Sequence, residues 1–175
     1  ALLWRRPVPE DVTRWLAALP QDRLPRGRVV IRPAAAAAAV TEMCAAVGES
    51  GGAAFAADVA DLADAFADVM QAAWVRLRLD VVTTNACRRF HVDALRARLV
   101  CTYLGTGTQY GLAAPRNEPA QVHTVATGTP ILLRGTQWPA HRAPSLLHRS
   151  PPIEGTGEVR LVLVLDPMTG AVDDI

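Results

Sequence analysis

The chain has no lysine. All eighteen basic residues are arginine, and seventeen acidic residues bring the formal net charge to +1. That balance excludes the electropositive footprint of general nucleic-acid binding. Alongside the abundant alanine, the arginine-only usage reads as coding bias rather than as a binding surface. Cysteine is scarce: Cys44, Cys87 and Cys101 are too few and too odd in number for a disulfide framework, which points to a reducing, cytoplasmic setting. No apolar run approaches the ~18 residues of a membrane span, and the alanine run at 34–40 is short. The opening residues lack the charged-then-apolar order of a signal peptide, and Ala1 in place of Met points to a start further upstream. No G-x-S-x-G elbow exists, and close carboxylate pairs occur only at the tail and in an acidic helix, so serine-hydrolase and glycosidase chemistry have no support. The glycine-rich stretch 105–111 is not a phosphate-binding loop. Half of the 175 residues are hydrophobic, enough for a core in a single domain over 1–175.

Two regions differ in period. Residues 1–74 read as mainly helical support. One helix follows Pro9 and stops before Pro20, a short strand around Val29–Ile31 follows, and a second helix starts near Pro33 and closes at Gly48. The clearest helix covers 52–74. Phe55, Val59, Leu62, Phe66, Val69 and Ala73 form one apolar stripe predicted to be buried, with Asp58, Asp61, Asp64 and Asp68 on a solvated face. From 75 onward the pattern alternates, with strands expected at 75–82, 96–105, 122–128, 129–135 and 159–166. Helices followed by strands imply an α+β protein: N-terminal helices buttressing one face of an antiparallel sheet or barrel over 75–175.

Four histidines are present: His91, His123, His141 and His148. In an extended segment, His91 and Asp93 share one face, because side chains repeat every two residues. His148, 57 residues later in a short apolar run, supplies a second imidazole from a neighbouring strand. Two histidines and one carboxylate occupy one face of an octahedral ion and leave other positions open, the ligand set of non-haem Fe(II). Arg160, at the start of the final strand, is placed to grip a carboxylate through a bidentate pair.

The order HxD, distal His, then Arg on the next strand resembles the Fe(II)/2-oxoglutarate-dependent dioxygenases over residues 76–166. That resemblance implies N-terminal helices packed on a C-terminal double-stranded β-helix (jelly-roll, cupin-like) barrel. It implies His91, Asp93 and His148 as the metal triad, and Arg160 as the residue that binds the distal carboxylate of 2-oxoglutarate. Arg149 and Arg98 are the alternative partners for that carboxylate. The stretches CRRFHVD, TYLGTGT and HRSPPIEGTGEVRLVLVLD also resemble an uncharacterised bacterial family, sometimes encoded near zinc-homeostasis genes, which implies a metal context. Tyr103, Thr108 and Tyr110 are candidates to line the mouth of the site, with Tyr103 beside Arg160 on the cofactor side.

Other readings stay open. Cys87, His91, Cys101 and a further His could make a tetrahedral zinc site, although Cys101 also reads as a buried small hydrophobe. The pocket could store or deliver zinc without catalysis, or the barrel could have lost its metal and serve as an interaction module. His123 reads as structural. Trp138 and His141, on the connection before His148, read as loop anchors or as a lid. The expected substrate is a small molecule or a protein side chain.

Overall fold

The computed structural model describes residues 1–114, 118–139 and 145–170. Three α-helices form among them where the sequence signals are strongest. α1 (Glu10–Ala18) starts behind Pro9, with Glu10 and Asp11 set against the positive end of the helix dipole. α2 (Ala36–Ala46) continues a single 3-10 turn opened by Pro33. α3 (Ala53–Met70) buries Phe55, Val59, Leu62 and Phe66 in the main core.

Three details of α3 depart from expectation. Val69 is 61% exposed, and Met70, four residues after Phe66, takes the inward place. Asp61, Asp64 and Asp68 are exposed, but Asp58 is only 5% exposed. It follows Phe55 by three residues and precedes Leu62 by four, so helical geometry sets it on the buried side. The helix also ends early. Gln71 turns through the left-handed region (φ 49°) and Ala72 N–H bonds back to the Ala67 carbonyl, so the chain is already a strand at Trp74.

The strands are β1 (Leu2–Leu3), β2 (Gly27–Ile31), β3 (Trp74–Val82), β4 (Ala97–Leu104), β5 (Gln109–Leu112), β6 (His123–Thr124), β7 (Ile131–Arg134), β8 (Leu146–Arg149) and β9 (Arg160–Met168). A six-stranded antiparallel sheet runs β1-β7-β4-β9-β3-β2, and a three-stranded antiparallel sheet runs β6-β5-β8. Among the described residues the two sheets do not close into the expected barrel. The strand expected at 122–128 contracts to β6, and β5 forms where a loop was expected.

The large sheet separates two apolar clusters. On its helical side, Val75, Leu77 and Leu79 of β3, Leu99 and Cys101 of β4, and Leu161, Leu163 and Leu165 of β9 pack with the helices. On the other side, Val100, Val162, Val164, Ile131 and Leu133 form a second cluster, which Tyr110 of β5 and Leu146 of β8 cover. Strand alternation makes both faces at once. β9, central and covered on both sides, is buried from Arg160 through Asp166. No helix among the described residues is long and apolar enough to cross a membrane.

Candidate metal centre

His91 and His148 come from distant parts of the chain and are joined as a single antiparallel bridge. His91 N–H donates to the His148 carbonyl and His148 N–H to the His91 carbonyl, both at 3.0 Å. Ser150 N–H bonds to the Cys87 carbonyl at 3.0 Å, and Asn85 exchanges two hydrogen bonds with Glu154. The segment before His91 is thereby laced to the segment after His148. The two imidazoles lie with ring centroids 4.4 Å apart.

Asp93 is positioned by the end of β7. Thr136 N–H donates to the Asp93 carbonyl at 2.9 Å, and Gly135 N–H to the Arg96 carbonyl at 2.9 Å. This approach requires glycine: a Cβ on Gly135 would sit 1.9 Å from the Leu95 carbonyl oxygen and 2.7 Å from that of Asp93. Arg98 then orients the Asp93 carboxylate, with Nη1 donating to Oδ1 at 2.7 Å. Arg98 is itself held by a bidentate pair to Asp166, at 2.7 and 3.0 Å.

The result is a group whose ligand atoms all lie within 4.8 Å of one another: His91, Asp93 and His148. His91 Nδ1 meets the Arg89 carbonyl at 2.8 Å, so it carries the proton and Nε2 keeps its lone pair, 3.7 Å from Asp93 Oδ1. His148 Nε2 lies 3.2 Å from Asp93 Oδ2. That Oδ2 is buried and makes no well-aligned hydrogen bond despite the short distance. A buried carboxylate oxygen with an idle lone pair beside two imidazoles fits a divalent cation. Burial works to raise the Asp93 pKa. The imidazoles of His148 and His91 and the Arg98 guanidinium outweigh it and hold the carboxyl well below the usual range. Asp93 in turn raises the His91 pKa, against the opposing effect of burial.

A cavity of about 270 Å³ opens beside this cluster, and His91, His148, Thr108 and Arg160 all line it. Arg160 is 1% exposed. Its described partners are uncharged oxygens: Nε donates to the Thr106 carbonyl at 2.6 Å, and Nη2 reaches Thr102 Oγ1 at 3.3 Å. Burial lowers its pKa from the ordinary value, against the opposing charge of Glu158. Gly105, at φ +75°, leaves room for the Arg160 side chain, since a Cβ there would lie 2.9 Å from Arg160 Cγ.

Not every expected residue reaches the cavity. Tyr103 shares the parity of Leu99 and Cys101 on β4, so it faces the helices. Its hydroxyl donates to Asp58, which is also held by a bidentate pair from Arg6. The expected cofactor-side role of Tyr103 is therefore replaced by a place in a helix-side polar cluster. The same parity removes Cys101 from any zinc set with Cys87 and His91. Cys101 is buried in the helix-side core, while Cys87 is exposed and lines the cavity. His123 is exposed and stacks on Tyr110 at 5.4 Å. Trp138 packs against the main core under Arg134, and His141 lies outside the described residues. Sequence reasoning missed Arg98 as the support for Asp93. Its spacing of five from Asp93 was visible, but its pairing with Asp166 was not.

Among solved structures, the chain is similar to a dioxygenase for auxin oxidation from rice, with a TM-score of 0.54 and 14% identity over 91% of this chain and 67% of that one. The likeness is one of fold. A hydroxypropylphosphonic acid epoxidase from S. wedmorenis aligns at 13% identity and a TM-score of 0.36, over 53% of this chain and 42% of that one. A cupin-2 domain protein from Shewanella frigidimarina aligns at 15% identity and a TM-score of 0.34, over 54% of this chain and 71% of that one. The chain thus spans less than half the length of the epoxidase. No curated protein matches. Residues 1–166 match the family described as protein of unknown function DUF1826, and the chain belongs to that family.

Proposed function

We propose that this protein is an Fe(II)- and 2-oxoglutarate-dependent oxygenase with a β-helix-type site, acting on a small molecule or a protein side chain in the cytoplasm. The observation that carries the reading is the convergence of His91, Asp93 and His148 around a buried Asp93 oxygen with no aligned donor. In this reading those three residues hold the metal on one face. When bound, Fe(II) with 2-oxoglutarate supplies O₂-dependent oxidation of a substrate coupled to decarboxylation of the cosubstrate. The chain's own residues bind and orient. The Arg89 carbonyl fixes the His91 tautomer, Arg98 fixes the carboxylate, and the buried Arg160 offers its guanidinium to the distal carboxylate of 2-oxoglutarate.

One observation favours a second reading. Cys87 lines the same cavity, and a thiol there suits zinc better than iron, as in a non-catalytic zinc-handling protein. Metal analysis of anaerobically purified protein, with calorimetric titration of 2-oxoglutarate, tests both. The oxygenase reading expects bound iron and uptake of 2-oxoglutarate that Arg160→Ala weakens by about 2–4 kcal/mol with metal affinity retained. Metal uptake with no 2-oxoglutarate binding at millimolar concentration overturns it in favour of zinc handling.

A further inference from the structure

Charges of alternating sign run across the large sheet toward the metal centre. Arg76 on β3 opposes Asp166 on β9, and Arg98 on β4 lies one step from the Leu99–Leu165 pair, so three neighbouring strands set the row. Asp93, just before β4, continues the alternation. Asp166 is 3% exposed. Its oxygens accept from Nε and Nη2 of Arg98 at 2.7 and 3.0 Å, and Arg76 Nη1 lies 3.9 Å from Oδ2. Arg98 turns its third nitrogen, Nη1, to Asp93 Oδ1 at 2.7 Å. That oxygen is thereby taken. Oδ2, which has no aligned donor, is the one that lies 3.2 Å from His148 Nε2. A guanidinium beside a cation site is a liability, because like charges repel and burial leaves little water to screen them. Arg98 alone would also hold the negative charge of Asp93 to itself. Asp166 offsets both effects: its carboxylate cancels the charge of Arg98 and leaves the hydrogen bond to Oδ1 in place.

We propose that Asp166 is a positioning residue for the metal centre: through Arg98 it restricts Asp93 to one ligand atom, Oδ2, and keeps the charge of that carboxylate available to a divalent cation. What ties the pair to the centre, rather than to folding alone, is the third hydrogen bond of Arg98, which ends on a residue of the cluster. With Oδ1 occupied, the three residues offer two imidazole nitrogens and a single carboxylate oxygen, and the other positions of an octahedral ion stay open. The inference rests on the reading of His91, Asp93 and His148 as a metal site. It does not need 2-oxoglutarate.

The test uses the whole chain and Mn(II) alone under argon, with free Mn(II) counted by electron paramagnetic resonance. Asp166→Asn should weaken Mn(II) binding about tenfold or more, although Asp166 is not in the cluster. Combining Arg98→Gln with Asp166→Asn removes both charges together and should recover most of that loss. A pair that only supports the fold would leave the double variant no tighter than Asp166→Asn. Wild-type protein supplies a second measurement that needs no variant. With isotopically labelled aspartate, the infrared difference between Mn(II)-loaded and metal-free protein should show a widened splitting of the carboxylate stretches, the mark of binding through one oxygen. A narrowed splitting, the mark of chelation by both oxygens, overturns the proposal. So does an Asp166→Asn affinity within about twofold of wild type, or a double variant no tighter than the single one. If wild type takes up no Mn(II), the metal reading itself fails and this inference falls with it. If wild type binds Mn(II) and Asp166→Asn binds it equally well, the metal reading stands and only this inference fails.

Discussion

Two polar clusters sit back to back on the large sheet, and β4 contributes to both. On the helical side, Arg6, Asp58 and Tyr103 close on one another: both Asp58 oxygens are taken, and only Arg6 Nε lacks a partner. On the cavity side, Arg98, Asp93 and Asp166 are matched, but one Asp93 oxygen lacks an aligned donor, and the described hydrogen bonds of the Arg160 guanidinium go to uncharged oxygens. Each cluster leaves a buried atom over: on the helical side a guanidinium nitrogen of an otherwise matched ion pair, and on the cavity side a carboxylate oxygen beside two imidazoles, the kind of atom that can take a cation. Two arginine–aspartate systems of similar composition are told apart by what each leaves over.

The largest expected effect breaks this contrast directly. Asp58→Ala strands Arg6 in the core and should cost about 3–5 kcal/mol in urea denaturation, with metal affinity unchanged. Asp93→Ala should do the reverse. Arg98 keeps Asp166, so stability should move by less than about 1 kcal/mol. Metal affinity measured by competition with a chelator should fall beyond the roughly 10–100-fold typical of losing a supporting partner. Equal destabilisation by both variants would mean that both clusters are structural.

Gly135→Ala should come next. Its Cβ would meet the Leu95 carbonyl at 1.9 Å, so the backbone carrying Asp93 must shift. About 1–3 kcal/mol of stability should be lost, together with metal affinity, and a melting curve with a parallel metal titration checks both. A stability loss without an affinity loss would detach Gly135 from the site.

Alkali should act on the helical side. Burial pushes the Cys101 thiol up to about 12 from a usual value near 9.0, and burial raises the Tyr103 phenol well above 10.0. Both stay protonated in the fold at a pH where the unfolded chain releases their protons. Their contribution is therefore complete below about pH 9 and is lost as the pH climbs toward 12. The urea midpoint should fall between pH 8.5 and 10.5 by roughly the range that such linkage allows, and Cys101→Ala should flatten the slope. A slope unaltered by Cys101→Ala would show that the thiol takes no part.

The smallest expected effect lies at the end of α3. Gln71 holds φ 49°, a conformation that glycine adopts without a Cβ penalty. Gln71→Gly should stabilise by about 0.5–1 kcal/mol in thermal melts and leave both clusters untouched. A destabilised variant would show that the Gln71 side chain contributes contacts worth more than the strain.

Much of this was legible in the sequence, and the failures have causes. His91, Asp93 and His148 were readable because two-residue spacing states a shared face and the distal His follows an apolar run. Asp58 was grouped with Asp61, Asp64 and Asp68 because acidic residues on a helix are usually solvated. Its spacing from Phe55 and Leu62 already put it inside, and Arg6, its partner 52 residues away, gave no local sign. Tyr103 was misplaced although its parity with Cys101 was available, because the following glycine-rich stretch suggested a loop at the site mouth. β1 and β6 are two residues each, too short for any period to register. The Arg98–Asp166 pair joins residues 68 apart, a contact that only the sheet order β4-β9 creates.

That strand order gives β9 a role as a ruler. Arg160, Val162, Val164 and Asp166 all carry even numbers and all face the cavity side, with Arg160 and Asp166 about 20 Å apart along one rod. The distance between the Arg160 guanidinium at one end and the Asp166 carboxylate that holds Arg98 at the other is thus set by counting residues. Deleting a single residue at position 163 would turn one end of the rod over, driving either the guanidinium of Arg160 or the carboxylate of Asp166 into the leucine layer under the helices. Mutational drift in this strand can change side-chain size within a column, but its length is locked at both ends by charge.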